Sequence, residues 1–135
     1  MWRARGPRLR DERGVNLVEF ALVAPVFFLI IFGILDFGRV TYQYNLIASS
    51  AREGARMAII QSKTDTQVRD RVVASSAGLL TAGNVTIIRS TCPPFPCGTA
   101  TISVTHAFTP VTPLISNIIG ESLTLRASST MVVER

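Results

Sequence analysis

The chain has 135 residues, of which 47% are hydrophobic and 17% charged, and its formal net charge is +5. That length has room for one modest domain and an anchor, and little more. The basic surplus does not point to nucleic acid, because its dense part is a short leader with no aromatic interleaving beyond Trp2.

That leader, residues 1–14, holds Arg3, Arg5, Arg8, Arg10 and Arg13 against Asp11 and Glu12, a net +3. It runs directly into FALVAPVFFLIIFGIL, Phe20 to Leu35, in which every residue is apolar, Gly or Pro. Extended back to Val15 the run reaches 21 residues, interrupted by Asn16 and Glu19. At about 1.5 Å per residue it spans roughly 31 Å, the hydrocarbon thickness of a bilayer. Residues 15–35 therefore read as a single transmembrane helix. The arginines place the leader in the cytoplasm and residues 36–135 outside it. No small-x-small cleavage site follows Leu35, so the span is expected to remain as an anchor rather than leave as a secretory signal.

Val15 to about Ile60 reads as one long helix, since Pro25 and Gly33 are tolerated inside a span. Beyond the bilayer, Phe37, Tyr44, Ala51 and Ala58 recur every seven residues, with Thr41, Ala48 and Ala55 between them. This alanine-rich seam suits close backbone approach, either to another helix or to the chain's own globular part. A second helix is expected from about Asp65 to Ala77, capped by Thr64 or Asp65, with Val68, Val72 and Val73 on one side. After Gly78 and Gly83 the texture becomes β-branched and alternating. Val85–Arg89, Thr99–Phe108 and Ser122–Val133 read as strands. In the second, Ile102, Val104, His106 and Phe108 share one face. The expected architecture is α+β: a long N-terminal helix, a short helix and a small antiparallel sheet of about three strands.

The sharpest motif is Arg13-Gly14-Val15-Asn16-Leu17-Val18-Glu19-Phe20 at the cytoplasmic edge of the span. Glycine before a scissile bond leaves the backbone extended and accessible where the helix begins, and a membrane-embedded aspartyl peptidase could bind there. A carboxylate near the start of a span costs up to ~3 kcal/mol. Cutting after Gly14 would free an α-amino group on Val15 that is largely cationic at neutral pH. Opposite charges ~4 Å apart at an effective dielectric of ~20 attract by roughly 4 kcal/mol, so a neighbouring subunit's Val15 amine could offset Glu19.

ERGVNLVEFALVAPVFFLIIFGILDFGR resembles the N-terminus of the TadE-like family, minor pilins (pseudopilins) of tight-adherence pilus systems. AREGARMA, residues 51–58, resembles the family's second segment, and ASSTMVVE, residues 127–134, its closing strand. The resemblance implies cleavage between Gly14 and Val15 by a prepilin peptidase, and Glu19-Phe20 as the glutamate–aromatic pair after the cut. It also implies a place in the bacterial cytoplasmic (inner) membrane, among other pilus subunits and inner-membrane assembly proteins. Asn16 departs from the pattern. Within AREGARMA, Arg52, Glu53 and Arg56 form a candidate partner contact. Alternatively Glu53–Arg56 is a helical pair worth ~0.2–0.5 kcal/mol.

Cys92 and Cys97 enclose Pro-Pro-Phe-Pro, a spacing that fits a small disulfide ring between the first two strands. A metal site fails on ligands, since two Cys and one His do not close a zinc site. His106, the only histidine, lies on an apolar strand face with no Ser or Asp constellation around it. No cofactor, metal, small-molecule substrate or catalytic residue is expected. The expected function is a non-catalytic minor pilin anchored in the lipid bilayer, the alternative an uncleaved tether for an extracytoplasmic binding domain. The orientation has a direct check. A phosphatase reporter inactive in the cytoplasm, fused after Arg135, is expected to be active in intact cells, and silence despite expression overturns it.

Overall fold

The computed structural model describes residues 12–60, 62–92, 97–112, 120 and 122–133. The fold is α+β. Helix α1, Glu12–Ala58, is 47 residues and about 70 Å long, and it continues through Pro25. Its apolar first half is not buried against the protein at all, as single-pass membrane anchoring requires. Helix α2, Asp65–Ala74, opens on a capping box in which the Gln67 backbone N–H donates to Thr64 Oγ1 at 3.3 Å. The Thr64 backbone N–H answers to Gln67 Oε1 at 3.2 Å, so Thr64 rather than Asp65 is the cap. The helix stops at Ala74, three residues before the expected Ala77. The hydroxyls of Ser75 and Ser76 bond back to the carbonyls of Val72 and Val73, and Ala77 and Gly78 then reverse the chain with φ of 50° and 82°.

A short 3-10 turn at Ala82–Asn84 leads into β1 (Val85–Cys92), β2 (Cys97–Phe108) and β3 (Leu123–Val133). The sheet is antiparallel throughout in the order β1-β2-β3. β1 runs three residues beyond the expected Arg89 because the β1–β2 ladder continues to Cys92 opposite Cys97. α1 packs across β2 and β3, with α2 beside it, so one sheet face is covered. The strands run along α1. Phe108 lies near Arg39 at the span end, whereas Arg89 reaches the last turn at Ala58.

The alternation expected in β2 holds: Ala100, Ile102, Val104 and Phe108 are buried. Facing them are Ile47, Ala51, Ala55 and Ala58 of α1 and Val68 and Val72 of α2. The seven-residue seam therefore divides. Its upper alanines pack on the chain's own sheet, while Phe37 and Tyr44 remain 73% and 48% exposed. Ile47, outside the seam, is the largest fully buried α1 side chain.

Gly54 of α1 faces both α2 and β2. A Cβ there would collide with Val72 Cγ2 and lie 3.4 Å from Ile102 Cγ2. Gly54→Ala gains about 1 kcal/mol of helix propensity but overpacks a stiff valine, at about 1–3 kcal/mol. The unfolding midpoint of the sheet domain is expected to fall by several degrees, and Gly54→Leu to prevent the packing. Gly33→Ala, which meets nothing within 4 Å, leaves the midpoint unchanged in the same thermal scan.

Candidate functional site

Chemistry-bearing residues occupy three stations along α1. At the first, Gly14, Val15, Glu19 and Phe20 are all exposed, Phe20 to 70%. The helix already begins at Glu12, so Gly14 and Val15 have helical rather than extended backbone. This corrects the expectation drawn from glycine's freedom: a peptidase would have to unwind the first turn. Glycine makes that easier, because it costs a helix interior about 1 kcal/mol relative to alanine. Val15 and Glu19 are one turn apart on the same face. Among the described residues Glu19 has no ion-pair partner.

The second station was not singled out in the sequence. Asp36, the first charge after the apolar run, is 5% exposed. Its Oδ1 accepts from the Val111 backbone N–H at 3.3 Å, and its Oδ2 from that of Thr112 at 3.0 Å. Arg39 Nη1 donates to Oδ1 at 3.4 Å, and the Arg39 guanidinium stands 5.5 Å from the centre of the Phe108 ring. One carboxylate thus joins the foot of the extramembrane helix to the segment that leaves β2. Hydrogen bonding from the Thr112 side chain, with the two backbone amides and Arg39, holds Asp36 below the usual carboxylate range, against the opposing effect of burial. The available signal was its position, an acid immediately past a span with a base three residues on.

At the third station, of the two alternatives, the Glu53–Arg56 pair is not formed among the described residues. Glu53 instead accepts from Arg71 of α2, from Nε at 3.1 Å and Nη2 at 2.7 Å. The Arg71 hydrogen bond, then its charge, lowers the Glu53 pKa. Arg52 and Arg56 are exposed and make no ion pair among the described residues. A further fork lies nearby. Arg89 donates from Nε to Asp65 Oδ1 at 2.9 Å, from Nη1 to the Ala58 carbonyl at 2.9 Å, and from Nη2 to the Lys63 carbonyl at 3.2 Å. It closes the C-terminus of α1 and ties it to the start of α2. His106 is half-buried, opposite Leu125. Cys92 and Cys97 face each other in the backbone register, but the disulfide expectation concerns side chains outside the described residues.

A family model described as TadE-like protein matches residues 14–56. The match opens at Gly14 and runs along α1 through both the apolar run and Arg52–Arg56. The resemblance is thus carried by the long helix, and the closing strand 127–134 lies outside it. No curated protein and no solved structure matches the chain.

The Asp36 contacts give a signed pH effect. A carboxylate whose pKa is lowered by folding stabilises fully above the ordinary carboxylate range, and that contribution is lost as pH falls through the lowered value. Asp36→Asn removes the charge and turns a donor toward backbone donors. It is expected to lower the unfolding midpoint at neutral pH and to flatten the decline in acid. Glu53, with a shift of the same sign, preserves part of the slope. Midpoints measured across the acid range in detergent check both, and identical curves for variant and parent would remove Asp36 as a clamp.

Proposed function

We propose that the chain is a non-catalytic minor pilin (pseudopilin) that helps to assemble or anchor a tight-adherence, type IV-like pilus. The observation carrying this reading is the TadE-like match that opens at Gly14, where the basic leader meets the apolar run. In this reading residues 1–14 are a cytoplasmic leader, 15–35 span the bacterial cytoplasmic membrane, and 36–135 form the extracytoplasmic domain. A prepilin peptidase cuts between Gly14 and Val15 after unwinding the first turn. The new Val15 amine of one subunit then faces Glu19 of another, which sets their register in the bilayer. Arg52 and Arg56 are the charges left for contact with other pilus components, since Glu53 is engaged by Arg71. Cys92 and Cys97 form a disulfide in the hairpin at the end of the sheet away from the membrane, favoured by their direct cross-strand register.

A second reading, an uncleaved membrane tether, draws on the helical backbone at Gly14. Mass measurement separates the two. With active peptidase, the mature chain is expected to begin at Val15, and Gly14→Leu to block the cut. An N-terminus still at Met1 or Trp2 supports the tether. Processing and assembly separate at Glu19. Glu19→Leu is expected to be cut and inserted but to support no pili, and Glu19→Asp to be intermediate. If Glu19→Leu assembles as the parent does, the carboxylate has no register role.

A further inference from the structure

Asp36 lies one residue, about 1.5 Å of helix, beyond the end of the apolar run at Leu35. The headgroup layer it enters is about 5–7 Å deep on each side of the hydrocarbon. Because the Val111 and Thr112 amides are hydrogen-bonded to that carboxylate, this part of the β2–β3 connection is held at the same depth. Val111 is 69% exposed, and Leu123, opposite Phe108 in the register, is 39% exposed. From Thr109 to Gly120, after β2, the sequence contains no Asp, Glu, Lys or Arg, and Glu121 follows. On the helix beside it stand Phe37, exposed, and Arg39, whose side chain is 46% exposed, four residues past the end of the apolar run. The salt-bridged groups lie toward the opposite end of the domain: Arg89 of β1 with Asp65, and Glu53 with Arg71 on the helices, while exposed Arg126 of β3, three residues from Leu123, adds a cation at this end.

We propose that the β2–β3 end of the sheet domain rests in the headgroup layer of the membrane that α1 crosses, with Val111 and Leu123 as its apolar contacts. The occupant of this surface is lipid. An exposed apolar end flanked by the cations Arg39 and Arg126, fixed at interfacial depth, matches the chemistry of the acyl–headgroup boundary. The domain thus stands on the bilayer rather than swinging from the helix. The proposal rests on single-pass anchoring and not on the pilus reading.

The test uses the full chain in phosphatidylcholine vesicles, with Trp2→Phe to remove the only tryptophan. Val111→Trp and Leu123→Trp place the probe at the proposed contact, and Leu123→Trp does so without touching the Asp36 contacts. Ser90→Trp is the distal control, roughly 30 Å away along the strands at about 3.4 Å per residue. Ile30→Trp reports the span. The indoles at 111 and 123 are expected to be blue-shifted, to lose most of their emission to lipids brominated near the carbonyl, and to resist aqueous iodide. At 90 the pattern reverses. If 111 and 123 behave like 90, or are shielded from both quenchers as in a contact between two copies, the proposal is overturned. An unquenched indole at 30 overturns it too, by removing the anchoring, and the two failures are distinguishable.

Discussion

A helix that passes from hydrocarbon into water has to change solvent without interrupting its own hydrogen bonding, and the rest of this molecule is arranged around that passage. Through the bilayer every backbone group of α1 is satisfied within the helix, so side chains need only be apolar. Past Leu35 the same cylinder needs one face for its own domain and others for water. Asp36 marks the change. It would be costly inside the hydrocarbon, yet here its carboxylate is buried against two backbone amides from a connection 75 residues away. Those amides leave the end of a central strand, where strand pairing no longer supplies acceptors. Helix and sheet thus satisfy each other's unpaired groups at the membrane surface.

Above this junction apolar packing governs. Ile47, Val68, Val72, Ile102 and Val104 are fully buried, and each such side chain contributes about 1.5–3 kcal/mol relative to exposure. The exposed Arg71–Glu53 pair contributes much less, as solvent-screened pairs do. It ties α2 to α1 at one point on the surface. Arg89 works in the same way at the helix end, where its fork reaches two carbonyls and an aspartate that would otherwise depend on water. Small residues make the packing possible. With Gly54 and three alanines on one face, α1 lets a sheet and a second helix approach together, which larger side chains would prevent.

The result is a domain with unlike ends. Near the span are the exposed Val111 and Leu123; away from it are the paired ends of β1 and β2 and the salt-bridged helix ends. The back of α1, including Arg52 and Arg56, faces away from the sheet. One helix thus offers separate faces to lipid, to the chain's own core and to water.

The sequence by itself determined the features set by local period and length. Twenty-one nearly uninterrupted apolar residues define a span, alternation in Thr99–Phe108 defines a half-buried strand, and the glycine–glutamate spacing at Gly14 and Glu19 carries the family likeness. These signals repeat over neighbouring residues, so a window of the chain contains them. Which half of the alanine seam would be covered was not legible, because a stripe on a helix does not say what packs on it. Nor was the partner of Glu53, since Arg56 and Arg71 are equally basic and only the crossing of α2 over α1 brings the second within 2.7 Å. Asp36 was the least visible. A lone acid after a span looks solvated until the chain, 75 residues later, presents two free amides to it, and only tertiary structure brings together groups so far apart in sequence.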